Sequence, residues 1–356
     1  MTSSTRRIRK GMILGAGLGT RLLPVTEKVP KPLVPVLNLP NILHTLFFLK
    51  RAGVEEIIIN LHHLPDAIEH FLENGRRWGV HLEYSREPKL LGTGGGVKKA
   101  ERFFNGETFV LANCDFITNA DIRPAIAEHF SRRALGTMLL YHNPEIQPRY
   151  SKVGVSENGN LCSLPSCQTQ SPARTGIFTG IHLLEAETLG LLDEVPCGIN
   201  EILYPRLMRE QPDRVYARYL VNGEYWLDTG EAPTLWNASQ HLLASLQHGD
   251  PVLTRFLSEV AGYEAGRNGL WAPAGYTLPP QVEIAGPVIL GPNCRLEKGA
   301  VLGPYTVLGE NSRIGEGARV TRFVGLESTD IDARESKAGV LQYGRRELFH
   351  FPSAHH

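Results

Sequence analysis

Several things are missing from this 356-residue chain, and each absence closes off a class of protein. No apolar run approaches the ~20 residues that a membrane-spanning helix needs. Lysine plus arginine number 37, as do aspartate plus glutamate, so no excess of either sign draws in nucleic acid or an anionic membrane. The five cysteines (Cys114, Cys162, Cys167, Cys197, Cys294) are odd in number and form no CxxC pair, which fits a reduced, cytoplasmic chain. The basic start, Arg6-Arg7-Ile8-Arg9-Lys10, has no apolar stretch behind it of the kind a secretory leader carries. No GK[ST] triplet occurs, which excludes a P-loop, and Thr20 breaks the dinucleotide fingerprint GxGxxG at its third glycine. No histidine lies between His248 and His350.

What is present begins at residue 11. The apolar run Met12 to Leu14 leads into Gly15-Ala16-Gly17-Leu18-Gly19-Thr20-Arg21. Alternating glycines let backbone N–H groups turn toward phosphate oxygens, and Arg21 closes the loop with a planar, permanent charge. Ten residues on, Lys31 stands between Pro30 and Pro32 on stiff backbone, the kind of fixed cation that phosphoryl transfer uses.

Strands alternate with helices from 54 to 142, which predicts a parallel, three-layer α/β domain. A helix over 231–247 closes it, giving a domain over 1–248 and a linker over 249–270. From about 270 an aliphatic residue recurs every six positions: Leu278, Ile284, Leu290, Leu296, Leu302, Leu308, Ile314 and Val320. Four residues after each comes a small or β-branched side chain, from Val282 to Val324. Such a hexapeptide repeat predicts a β-helix over 271–325, with 326–356 as cap and tail.

Three further stretches carry chemistry. Glu87-Pro88-Lys89-Leu90-Leu91-Gly92-Thr93-Gly94-Gly95-Gly96 places glycines ahead of a short helix predicted over 97–104, allowing close approach to a base or phosphate. Glu87 is either a reader of a base edge or a surface glutamate. Asn113-Cys114-Asp115-Phe116 follows a buried strand, where ligands of open α/β sheets bind. Asp228 lies in Tyr225-Trp226-Leu227-Asp228-Thr229-Gly230. His62 and His63 read as ordinary loop residues.

The string GxGxGTRLxP with KPLxPV resembles the signature of the nucleotidylyltransferases that activate sugar-1-phosphates, and the repeat resembles the left-handed β-helix appended to many of them. That resemblance implies a Rossmann-like domain with a mixed, mostly parallel sheet. It assigns nucleotide binding to Leu14, Gly15, Ala16, Gly17, Gly19 and Thr20, and base contacts to Glu87, Gly92, Thr93 and Gly94. It gives catalysis to Arg21 and Lys31, Mg²⁺ to Asp115 and Asp228, and the sugar to Thr179, Gly180 and Glu201. It implies an NTP and a sugar-1-phosphate as substrates and a homo-oligomer built through the β-helix, with no nucleic acid or membrane partner. The expected pair is GTP with mannose-1-phosphate or a heptose phosphate. The alternatives are UTP with an amino-sugar or muramic-type phosphate, and a non-catalytic homologue that binds nucleotide sugars. The chain departs from the family pattern at Gly15 (often Ala), Cys114 (usually Gly) and Glu231 (Thr), and 150–175 lacks the Glu-Lys-Pro triplet that grips the sugar phosphate.

Overall fold

The computed structural model describes residues 6–351. They fall into two compact units that do not follow chain order. One takes residues up to Leu18, Val29–Pro32 and Ile42–Trp226; the other takes Gly19–Lys28, Leu33–Asn41 and everything from Leu227 onward. The division cuts the signature between Leu18 and Gly19.

The first unit is built on a ten-stranded mixed sheet. Its parallel core sets Phe109–Asn113, Lys10–Leu14, Glu56–Leu61 and His81–Arg86 side by side. Runs such as Ile57-Ile58-Ile59 and Val110-Leu111-Ala112 are buried, as a parallel sheet covered on both faces requires. Register places Leu14 beside both Asn60 and Asn113, so the first glycine loop, Asn60 and Asp115 all leave the sheet at one edge. Strand Arg174–Leu184 runs antiparallel to Phe109–Asn113 and shifts register against Gly136–Tyr141 between Phe178 and His182. Beneath it, the buried His182 Nδ1 and the Tyr204 hydroxyl share a hydrogen bond of 2.8 Å. Burial pushes the His182 imidazole down to about 3 and the Tyr204 hydroxyl above its ordinary value.

One helix differs from the sequence expectation. It begins at Gly92, not Val97, so Gly92–Lys99 is a helix that contains the glycines. Glycine is a poor helix former, and tertiary packing overrides that preference here.

In the second unit, Pro35–Val36 and Leu39–Pro40 form a hairpin turning at Leu37 and Asn38, both with positive φ. Asn38 Nδ2 donates to the Leu308 carbonyl at 2.8 Å. Helix Ala232–Gln247 starts with a reciprocal capping box between Glu231 and Thr234. Its Gln240 Nε2 donates to the Tyr305 carbonyl, and its Trp236 stacks on Phe351. Residues 249–270 hold helix Pro251–Glu259, capped by Asp250, and strand Tyr263–Ala265.

The hexapeptide region forms a β-helix with three faces of parallel rungs. Ile284, Leu290, Leu296, Leu302, Leu308, Ile314 and Val320 all point into its core, with Val288, Ala300 and Ala318 filling the corners. Rungs first pair across eighteen positions (Val288 with Thr306, Arg295 with Arg313) and then across seventeen (Val307 with Val324, Val324 with Leu341). One residue is lost at the corner after Thr321, where Arg322 takes a positive φ, and a second at the corner after Ala338, where Gly339 does. The ladder therefore continues through Asp330–Ile331, Ser336–Ala338 and Val340–Tyr343, beyond the point where the six-residue count stops.

Candidate functional site

In the first unit, Gly15 N–H donates to Asn60 Oδ1 at 3.0 Å, which anchors the start of the first loop. A side chain at Gly15 would meet the Asn60 carbonyl at 3.0 Å, whereas one at the exposed Gly17 would meet nothing within 4 Å. Gly17 is thus the position with open space over its backbone. Leu14 and Ala16 flank this opening, Ala16 buried and Leu14 half-buried.

The second loop is filled by the protein itself. Gly94 N–H donates to the Cys197 carbonyl at 2.9 Å, Cys197 N–H to the Leu91 carbonyl at 3.0 Å, and Ile199 N–H to Thr93 Oγ1 at 2.9 Å. A Cβ at Gly95 would collide with the Val195 carbonyl, and one at Gly96 would lie 2.7 Å from Glu87 Oε1 and 2.8 Å from Asn60 Nδ2. These glycines are needed because the 195–198 segment and the Asn60–Glu87 pair press against the helix. The sequence reading gave that closeness to a ligand.

Glu87 needs correction too. It is 3% exposed, so it is no surface glutamate. Its Oε1 accepts from Asn60 Nδ2 at 2.7 Å and its Oε2 from Leu91 N–H at 2.9 Å. Both oxygens thus face the protein's own donors. His62, read from sequence as an ordinary loop residue, bonds the Glu87 carbonyl through Nδ1 at 2.8 Å. Asn60 was not singled out from sequence. Its signal was a lone amide within the strand Ile-Ile-Ile-Asn-Leu, where a buried polar group must find partners.

At the end of strand Phe109–Asn113, Asp115 Oδ2 pairs with Lys31 Nζ at 2.5 Å, both partly buried. The sequence placed these residues 84 positions apart, and the fold joins the proline-flanked cation to the strand-end carboxylate. Cys114 packs inward, and burial with the Asp115 charge beside it pushes its thiol up to about 12, so it is inert.

On the sugar side, Thr179 is 1% exposed. Its hydroxyl donates to the Leu139 carbonyl, and its own carbonyl accepts from Trp226 Nε1, each at 2.8 Å. The Thr179 hydroxyl and carbonyl are thus both engaged within the fold. Gly180, at φ +81°, leaves room for the Asn113 side chain, which would otherwise be 2.8 Å from its Cβ. Glu201 is exposed in the first turn of helix Ile199–Glu210 and folds back over Gly198.

Four expected site residues belong to the second unit. Gly19 takes a left-handed conformation ahead of the short 3₁₀ turn Thr20–Leu22, in which Thr20 and Arg21 are exposed. The turn is held by Thr26 Oγ1 donating to the Gly19 carbonyl at 2.9 Å. Asp228 Oδ1 accepts from Gly230 N–H at 2.8 Å. Among the described residues, no three histidine, cysteine or acidic side chains gather as a metal cage.

The nucleotidyl transferase family model matches residues 10–245, and the bacterial transferase hexapeptide model, six repeats, matches 287–322. A UTP–glucose-1-phosphate uridylyltransferase from Synechocystis is 31% identical over 94% of this chain and 87% of its own length. A mannose-1-phosphate guanyltransferase from Yarrowia lipolytica is 30% identical over 96% of both, and a mannose-1-phosphate guanylyltransferase from Mycobacterium tuberculosis is 26% identical over 87% of this chain and 80% of its own. A crystal structure of a putative glucose-1-phosphate thymidylyltransferase from Bacillus anthracis shares the fold, with a TM-score of 0.56 and 23% identity over 64% of this chain and 93% of that one. No helix among the described residues is long and apolar enough to cross a membrane. With a strand-end Lys–Asp pair beside a glycine loop open to a ligand, and with relatives matched over nearly their whole length, the chain belongs to the nucleotidyl transferase family, as a sugar-1-phosphate nucleotidyltransferase that carries a hexapeptide-repeat β-helix.

Proposed function

We propose that the enzyme joins GTP and mannose-1-phosphate to give GDP-mannose and pyrophosphate. The observation that carries the chemistry is the Lys31–Asp115 pair at the sheet edge from which the first glycine loop also leaves. An oxygen of the sugar phosphate attacks the α-phosphorus of the NTP in line, and the bond from that phosphorus to the β-phosphate bridge breaks. The nucleophile is already an anion, so no general base is required. Lys31 holds negative charge on the α-phosphate and the incoming phosphate, while the backbone around Gly17 holds the departing pyrophosphate. Glu201, exposed at its helix start, accepts from sugar hydroxyls in this reading.

Asp115 in the first unit and Asp228 in the second are each carboxylates of the kind that would suit Mg²⁺, which takes one or two carboxylates with phosphate oxygens and water. When bound, the ion neutralises charge that develops on the phosphates.

Mannose and guanine are favoured by the names of the Yarrowia and Mycobacterium relatives. The second reading, UTP with glucose-1-phosphate, is favoured by the Synechocystis relative. A matrix of four NTPs against a panel of sugar-1-phosphates, read as pyrophosphate release with Mg²⁺ and with Asp115→Asn as blank, tests both. The expected result is one strong cell at GTP and mannose-1-phosphate. A strong cell at UTP and glucose-1-phosphate would replace the first reading with the second, and nucleotide-sugar binding with a blank matrix would overturn catalysis. We further propose that the enzyme works in the cytoplasm as a homo-oligomer assembled through its β-helix, which light scattering of the intact chain tests.

A further inference from the structure

Asn60 and Glu87 are both buried, at 2% and 3% exposed, yet neither belongs to a hydrophobic role. They form a short relay. Gly15 N–H donates to Asn60 Oδ1, Asn60 Nδ2 donates to Glu87 Oε1, and Leu91 N–H donates to Glu87 Oε2. The backbone donor at Gly15 fixes which way the Asn60 amide faces, so the direction of every bond follows. Glu87 is held at its backbone as well, by its N–H on the Leu61 carbonyl and by His62 on its own carbonyl. Among the described residues no cation pairs with this buried carboxylate. Burying a carboxylate is costly unless hydrogen bonds compensate, so both of its oxygens are committed to those donors.

The two ends of the relay are what give it a role. One is the first residue of the phosphate loop; the other is the residue just before Gly92 in the base loop. We propose that Asn60 and Glu87 are positioning residues that lock the two nucleotide loops to each other, and that the Glu87 carboxylate does not itself read the base. This rests on the nucleotide-binding reading of those loops given above.

The relay can be reversed without changing its shape, which gives a sharp test. In Glu87→Gln alone, an amide N–H faces either the Leu91 N–H or the Asn60 amide, and one bond becomes a donor–donor clash. In Asn60→Asp alone, two carboxylate oxygens face each other. In the double variant Asn60→Asp/Glu87→Gln, the new carboxylate at 60 accepts from Gly15 N–H and from the new amide at 87, whose oxygen accepts from Leu91 N–H. All three bonds return with the charge moved one residue along.

The experiment measures KM and kcat for each NTP, equilibrium binding of GTP, UTP and ATP, and thermal unfolding, on the wild type and these three variants. Each single change is expected to raise KM about tenfold or more for every NTP alike, as loss of a buried bond to a charged group implies. Base preference and kcat should move little, and the double variant should return KM to within about threefold of wild type. If Glu87→Gln reorders the preference among bases and the double variant does not restore it, Glu87 touches the base and the proposal fails. If the double variant recovers thermal stability but not KM, the pair serves only the fold and the proposal fails. Single variants with wild-type NTP affinity would overturn the clamp alone, whereas a wild type that binds no NTP would overturn the nucleotide reading and the clamp with it.

Discussion

Residues 15–17 and 92–96 look alike on paper, since each is a glycine cluster following a strand. In the structure they have opposite uses. At Gly17 the missing side chain leaves open space, while at Gly95 and Gly96 it is replaced by protein: the Val195 carbonyl, Glu87 and Asn60. The first cluster keeps backbone accessible, and the second lets two pieces of chain pack closer than any Cβ permits. Glycine in a motif therefore reports a close approach without saying whether ligand or protein makes it.

Substitutions can break or sharpen that contrast. The largest effect is expected beside the first cluster, where Lys31→Ala should cut turnover roughly 10²–10³-fold while unfolding free energy stays within about 1 kcal/mol; steady-state kinetics with urea titration check it. Next, Gly95→Ala should cost about 3 kcal/mol of stability by overpacking, measured by urea unfolding. A smaller loss comes with acid, beneath the second cluster. His182 is buried neutral, so the unfolded chain binds a proton below about pH 6.5 that the folded chain refuses until about pH 3. Stability is complete above that range and falls as pH drops into it, by about 1 kcal/mol between pH 6.5 and 5.5. His182→Gln should remove one proton from the pH slope. Because Tyr204, its partner, sits in the helix whose first N–H holds Thr93, hydrogen exchange in 92–99 should rise with acid before exchange in 11–17 does. The smallest effect is at the open position: Gly17→Ala should leave stability within about 0.5 kcal/mol and raise the NTP KM a few-fold. If Gly17→Ala destabilises as much as Gly95→Ala, the two clusters do not differ.

Much of this was readable from sequence for a physical reason. Buried parallel strands are continuous apolar runs, so Glu56–Leu61 and Phe109–Asn113 stood out, and β-helix rungs repeat at six because each coil has three faces. Lys31, Asp115 and the first loop were legible because unusual residue types mark them. Four things were not. Glu87 and Thr179 have side chains that suit a ligand, and only the fold reveals that their polar atoms are already engaged. The helix start at Gly92 runs against intrinsic propensity. The last coil of the β-helix hides because one residue lost after Thr321 and another after Ala338 throw the count out of phase while the rungs stay aligned.

The hairpin after Lys31 carries one more consequence. Its turn residue Asn38 is bonded to the carbonyl of Leu308, 270 positions later. On a ribosome adding about 5–20 residues per second, that partner emerges some 15–50 s after Asn38 does. Ordering so distant a pair also requires closing a very long loop, a slow class of folding event. The hairpin adjoining Lys31 can thus reach its native bonding only after Leu308 has been made, which makes the β-helix a timer on the maturation of the segment beside Lys31.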